Sequence, residues 1–575
     1  MEARTRLTAV LVAVGVSLVW STAPIMAQRA DSGTISGAVT ADRGDVRAFR
    51  VKARDSVHKI IYTVFTNGGR YQIYNLPPST YDVQVLEVGF DSPVRRVDLK
   101  TGDAVTVDLE LTANGDTAPR GEGGFGGSVD PSYGTVRQAV SLDGVELVEF
   151  DELYPPGPAR DIMMKACFGC HGPDGQIGQT AFHMRGRKNA TGWRRSVDRM
   201  FGAGPDGWLG GEHGLPLVTT EMVTPEQKES LIRYLTENFG PDSEPRDLQL
   251  DPLVRNEPAL SRAIYIEYEG PSGHDPAPSP VEPGVVCLSG SGNDTIVCID
   301  TNNQDPETRA TEWKISSPDG GQLTPHGIIM DGRGTVYWSE LRGDHIGQLN
   351  PKTGEITRYR LPTPGGGAHT LRADSRGGIW YSNFSAASNV GRLDLATGEV
   401  TEFEPSDRFS SYGITVDRQD RVWTVQIGSA ATGTPGILMY NQETGDWKNY
   451  PTTNPSRRLD VDSKGHVWSV QYFGNRIAMI DPSTNNVTEY DLPLKYGNPY
   501  EVMVDLEDNL WIENATYNSL VKFDQETEEF TYFPFPQIAA HTPKIEVDAQ
   551  GTLWFPLGRY GLTAFKSEGN VPKAN

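Results

Sequence analysis

The sequence predicts a mainly β multidomain chain: a seven-stranded sandwich, a small all-α domain and a seven-bladed β-propeller. Three observations carry this. Six tryptophans, Trp338, Trp380, Trp423, Trp468, Trp511 and Trp554, recur at spacings of 42, 43, 45, 43 and 43 residues. A steady period of that size, with several short strands per unit, is the mark of propeller blades. Short alternating apolar runs punctuated by Gly, Pro, Asn and Asp fill residues 31–113, as in a small sandwich. A content of 62 Gly, 40 Pro, 22 Tyr and 11 Trp suits turn-rich β structure better than helices. The net charge of -23 and pI near 4.9 argue against nucleic acid and anionic membrane surfaces as partners.

In chain order, residues 1–27 read as a signal peptide. Arg4 and Arg6 precede an apolar run from Leu7 to Trp20, and the small-residue stretch Ser21–Ala27 offers a cleavage site after Ala27. The alternative is an uncleaved membrane anchor, for which the apolar run is short. The mature chain is therefore expected in an exported, periplasmic or extracellular compartment, not integral to a membrane, where a disulfide survives.

Residues 31–113 carry seven apolar runs. Gly33-Thr34-Ile35-Ser36-Gly37, Thr66-Asn67-Gly68-Gly69-Arg70-Tyr71, Leu76-Pro77-Pro78-Ser79-Thr80-Tyr81 and Gly89-Phe90 resemble the carboxypeptidase regulatory-like family. That resemblance implies a sandwich and says little about function: with no acid, thiol or metal cluster in the segment, a passive module is expected, with binding of a polymer or partner as the alternative. Residues 114–150 follow as a Gly-rich linker and extension; Gly121–Gly127 lacks the preceding strand and following lysine of a phosphate loop.

Residues 151–241 hold Cys167-Phe168-Gly169-Cys170-His171. Two thiols two residues apart with a histidine next are what covalent haem attachment needs: Cys167 and Cys170 bond the porphyrin, and His171 lies beneath the iron as proximal ligand. A zinc site would want a second pair nearby, and the remaining cysteines, Cys287 and Cys298, are more than a hundred residues away. Residues 159–166 lead helically into the motif. Thr224-Pro225-Glu226-Gln227 reads as a capped helix start, followed by the apolar Leu231, Ile232, Tyr234 and Leu235. Helix, motif and closing helix resemble a class I cytochrome c, which implies one covalent haem c, electron transfer and a redox partner protein. A distal ligand would come from His183, Met184, Met200, His213 or Met222. Trp193-x-x-x-Val197-x-Arg199-Met200 resembles a subgroup of small cytochromes and points to Met200, with Met222 as runner-up. Arg185, Arg187, Lys188, Arg194 and Arg195 form a basic cluster that could meet haem propionates or a partner, or simply be solvated.

Residues 260–570 contain the repeat. Six aspartates, Asp331, Asp374, Asp417, Asp462, Asp505 and Asp548, run in step with the tryptophans, as turn formers. The strand-like stretches 285–288, 295–300 and 311–316 supply a further unit, and 262–269 could close the ring as the last blade's outer strand. Cys287 and Cys298 fall on adjacent strands, as a disulfide or as two buried thiols. Thr324-Pro325-His326-Gly327-Ile328, Ile346–Asn350 and Val390–Asp394 resemble the streptogramin B (virginiamycin B) lyase family. The resemblance implies a propeller, and in its lyases histidines and a glutamate work with a divalent metal such as magnesium near the axis. Two residues before each inner strand's first aliphatic position stand His326, His369, Tyr412, Arg457, Tyr500 and Pro543, with His541 close by. These should ring one channel mouth, where a small molecule or peptide would bind; His326, His369 and His541 are the candidate catalytic residues. Glu340, Asn383, Gln426, Gln471, Glu513 and Asn514 follow the tryptophans and could face that channel. The expected function is electron transfer by an exported c-type haem protein. The alternatives are a carbon–oxygen lyase with an accessory haem domain and a non-catalytic binding scaffold.

Overall fold

The computed structural model describes residues 32–114, 120–121, 139–140, 145–168, 188–202 and 216–572. Within the last stretch 217, 221, 245, 318–319, 385–388, 406–409, 429–433, 539 and 558–560 are not described. The predicted signal segment, Cys170, His171, His183, Met184, Arg185, Arg187 and His213 lie outside the described residues.

The period of the repeat becomes a series of four-stranded antiparallel sheets. Six follow one another along the chain, with inner strands Pro276–Pro278, Pro325–Met330, Ala368–Ala373, Ser410–Val416, Leu459–Val461 and Pro499–Val504. A seventh joins Glu546–Val547, Leu553–Pro556 and Leu562–Lys566 to Ile264–Tyr268, which enters from the start of the repeat region as its outer strand. Each inner strand contacts the next, and the last meets the first, so the seven blades form a closed ring. Closure packs the first blade against the last, through a shared apolar cluster of Val286, Leu288, Trp554 and Leu562. Cys287 and Cys298 lie directly opposite on the first blade's second and third strands and are joined by a disulfide.

The repeated Asp and Trp form one device. Each aspartate accepts turn amides, as Asp417 does from Gln419 and Arg421 at 2.9 and 3.0 Å. Its second oxygen takes the ring N–H of the tryptophan six residues on, in Asp374–Trp380, Asp417–Trp423, Asp462–Trp468, Asp505–Trp511 and Asp548–Trp554, at 2.7–3.0 Å. These five tryptophans pack toward the following blade. Trp338 departs from this pattern. It stands seven residues after Asp331, and one extra residue turns a strand side chain to the opposite face. Trp338 therefore packs backwards with Cys287 and Ile296 of the first blade, and Tyr337 takes the forward place beside Ile379. Asp417→Ala would strand a fully buried indole N–H. It should cost about 1–3 kcal/mol, read as a lowered urea midpoint at unchanged slope.

The N-terminal unit is a sandwich, with more strands than the seven predicted. One sheet runs Arg70–Leu76, Gly33–Ala41, Leu109–Ala113, Phe90–Asp91, with Ala104–Thr106 also on Gly33–Ala41. The other contains Ile60–Phe65, Arg50–Asp55, Ser79–Leu86 and Arg95–Leu99. The run at 104–111 splits into two strands, and Phe90–Asp91 adds a short one, giving nine. This second sheet is continuous with the propeller, because Ile60–Phe65 pairs with Ile264–Tyr268. The sandwich thus covers the outer edge of the closing blade, a row of backbone donors and acceptors otherwise open to other chains. Lys52 and Glu267 form a buried ion pair at 3.0 Å across this seam.

The described residues between 146 and 248 make a helical unit. Helices Pro158–Ala166 and Ala190–Phe201 both pack on Pro225–Asn238, and strands Glu146–Val148 and Arg246–Leu248 pair at its base. The predicted capping box is present: Gln227 N donates to Thr224 Oγ1 at 3.3 Å, and Thr224 N to Gln227 Oε1 at 2.9 Å. Trp193, fully buried, donates to the Phe239 carbonyl at 3.0 Å and ties the middle helix to the last. No described helix is long and apolar enough to cross a membrane.

Candidate functional site

The residues aligned by the repeat register meet at the propeller axis. Ring centroids stand 3.9 Å apart for His326 and His369 and 4.0 Å for His369 and Tyr412. The Tyr412 and Tyr500 hydroxyls are hydrogen-bonded at 2.5 Å, Arg457 donates to Tyr412 at 3.1 Å, and its guanidinium lies 3.8 Å from the Tyr500 ring centroid. Tyr500 meets His541 at 4.9 Å, and His541 Nδ1 pairs with Glu513 Oε1 at 2.8 Å.

Two local devices place these side chains. On the first three blades a second-strand serine pins the next blade's ring residue by its carbonyl: Ser289 to His326 at 2.5 Å, Ser339 to His369 at 2.6 Å and Ser382 to Tyr412 at 2.5 Å. Gly327 lets neighbouring inner strands close up, since a Cβ there would lie 2.2 Å from the His369 carbonyl oxygen.

Sequence reasoning missed one member. His274 completes the ring, 4.0 Å from His326. It precedes Pro276-Ala277-Pro278, an inner strand without the aliphatic run that located the others. It also missed the layer beneath. One residue on in the same register stand Asp275, Thr370, Arg458 and Glu501. Arg458 pairs with Glu501 at 3.2 Å and donates to Thr370 at 2.6 Å. Lys544 reaches Glu501 at 3.3 Å and Glu546 at 3.0 Å, and Arg372 meets Glu546 at 3.0 Å. The shared register of Arg458 and Glu501, 43 residues apart, was the available signal.

Two expectations need correction. The ring is not an open mouth: His274, His326, His369, Tyr412, Arg457, Tyr500 and His541 are each at most 5 % exposed. Glu340, Asn383 and Gln471 do not face the axis; they pair with Arg358, Glu402 and Glu489 on the outer strands of their own blades.

Electrostatics follow from this burial. Desolvation drives His326 and His369 well below the usual histidine range, and neighbouring cationic groups, Arg458 among them, add to it, so both rings are neutral at pH 7. Burial opposes ionisation of Asp275. The hydrogen bond and charge of His274, with Arg458, more than offset it and hold the carboxyl well below the carboxylate range. Burial raises Glu513, against His541 and Arg457.

In the helical unit, Cys167 follows the helix Pro158–Ala166 as its cap, half-buried. It borders an apolar cluster of Ile162, Ala166, Met222, Val223, Phe201 and Val218. Met222 is buried there, whereas Met200 is half-buried at the end of its helix, its carbonyl accepting from Val218 N at 3.1 Å. Of the basic cluster, Arg194 is engaged by Glu229 through both guanidinium nitrogens, and Lys188 donates to Ser196 at 2.7 Å.

Residues 302–523 match the virginiamycin B lyase family. The match takes in under half of the chain and lies wholly within the propeller. Among solved structures, a streptogramin B lyase is similar at 20% identity over 53% of this chain and 97% of that one, with a TM-score of 0.46. A virginiamycin B lyase from Staphylococcus aureus is similar at 18% identity over 53% and 98%, also at 0.46. Comparison with curated proteins returns no match.

Proposed function

We propose that this chain is an exported c-type haem protein that transfers electrons through one covalent haem, with the propeller binding a ligand or partner. The observation that carries the reading is Cys167-Phe168-Gly169-Cys170-His171 starting where the helix Pro158–Ala166 ends, with Cys167 against an apolar cluster that holds a buried methionine. A porphyrin needs apolar walls and two iron ligands. Ile162, Ala166, Phe201 and Val218 suit the walls, and His171 and a thioether suit the ligands. When bound, the haem supplies reversible one-electron exchange; the chain's residues hold it, exclude water and set its ligand field. Met222 is the better distal ligand, because it shares the cluster with Cys167 while Met200 lies outside it. A redox partner protein is part of this reading.

A succession of rings supports joint action of the motif and the axis. Phe168, inside the motif, lies 4.8 Å from Phe473 of the fifth blade; the adjacent Tyr472 is 5.9 Å from Tyr500, which leads to Tyr412 and His369.

Spectra of variants test the ligand. Met222→Ala is expected to abolish the sulfur-to-iron charge-transfer band and lower the potential, with Met200→Ala unchanged. The reverse pattern would move the ligand to Met200, and no change in either would remove methionine from the iron.

A second reading, a streptogramin-type carbon–oxygen lyase, is favoured by the family match and by His541. Its Nδ1 is held by Glu513 and its Nε2 has no partner, an arrangement suited to a general base. Ring-opening of a cyclic depsipeptide with and without magnesium, in wild type, His326→Ala and His541→Ala, tests it. Equal rates in all three would end that reading.

A further inference from the structure

We propose that His274, Asp275 and His326 form a binding site for one divalent first-row transition-metal ion at the propeller axis. One ligand atom from each lies within 4.8 Å of the others, and all three residues are buried. Donors on one tetrahedral ion with bonds of about 2.1 Å stand about 3.4 Å apart, so a shift of about 1.4 Å closes the set.

The hydrogen bonding around the cluster leaves the right atoms for a metal. His326 is 5 % exposed and its Nδ1 has no partner. The His369 backbone accepts from the same ring, and with Nδ1 unpartnered that contact falls to Nε2. The lone pair therefore sits on Nδ1, in a ring whose centroid is 4.0 Å from that of His274. His274 Nδ1 is 2.7 Å from Asp275 Oδ1, which directs its own lone pair to Nε2. Metal-bound histidines characteristically spend their second nitrogen on a carbonyl or carboxylate in this way.

The ligand types select the ion. Magnesium and calcium want oxygen ligands, whereas two imidazoles with one carboxylate suit zinc, iron(II) or copper(II). Three protein donors leave a position for water or an exogenous ligand. A ring this fully buried suits an ion better than a large organic molecule. Arg458, in the layer beneath, is paired with Glu501 at 3.2 Å. This site is on the first two blades and is independent of the haem reading.

The test uses the full mature chain, stripped with a chelator, dialysed against zinc and assayed for zinc and iron separately. The iron content reports haem; the zinc content reports this site. One zinc per chain is expected, retained against excess magnesium. Asp275→Asn and His326→Ala should weaken zinc by more than the roughly 10- to 100-fold that loss of an outer-shell partner costs, while His466→Ala, at a blade turn, keeps wild-type affinity. Wild type without stoichiometric zinc would overturn the proposal even if a variant failed to fold. So would folded Asp275→Asn or His326→Ala chains, checked by circular dichroism, that bind zinc as wild type does.

Discussion

Glu501→Ala is expected to lower stability by about 3–5 kcal/mol, the cost of breaking a buried ion pair from one side. Glu501 is 1 % exposed and lies between two cations, Arg458 at 3.2 Å and Lys544 at 3.3 Å. Burial raises its pKa, with Lys544, Arg458 and Arg372 opposing. Removing the carboxylate leaves Arg458 at the axis with only more distant anions. Lys544 keeps Glu546 at 3.0 Å, which sets the upper bound. Urea unfolding followed by tryptophan fluorescence reads the loss. A change below about 1 kcal/mol, the range of an exposed pair, would mean that solvent reaches this layer.

Acid should destabilise the propeller earlier than carboxylate titration alone would. His326 and His369 are held well below the usual histidine range by burial first and by nearby cationic groups second. The unfolded chain takes up these protons near pH 6.5 and the folded chain does not. Their contribution is therefore complete above that pH and is lost as pH falls, at about 1.4 kcal/mol per pH unit for each ring. Asp275, held below the carboxylate range, adds a second loss only at lower pH. The melting temperature should fall between pH 7 and pH 5, and His369→Gln should reduce that fall by roughly half. An unchanged slope in the variant would show that His369 takes up its proton without unfolding.

The period of the repeat was legible because five of the seven blades bury the same tryptophan on the same turn, and the register it sets found His326, His369, Tyr412, Arg457 and Tyr500. What it hid has local causes. Trp338 matches by identity and not by face, since one added residue after Asp331 inverts it. His274 opens a strand of Pro-Ala-Pro that carries no aliphatic marker. The burial of the ring is a packing outcome that no single segment specifies. The merging of the sandwich with the closing blade depends on a pairing across some two hundred residues, Ile60–Phe65 with Ile264–Tyr268. Seven runs were readable in the sandwich, but the break splitting 104–111 is only Val107-Asp108, and Val107 continues the apolar pattern.

The haem attachment on which the proposed function rests is tested most directly by the pyridine haemochrome of the denatured, purified mature protein, made with a working haem-maturation system. One covalent haem per chain, lost in Cys167→Ser/Cys170→Ser, is the result expected. A colourless wild-type protein, or haem extracted by acidified solvent, would contradict it.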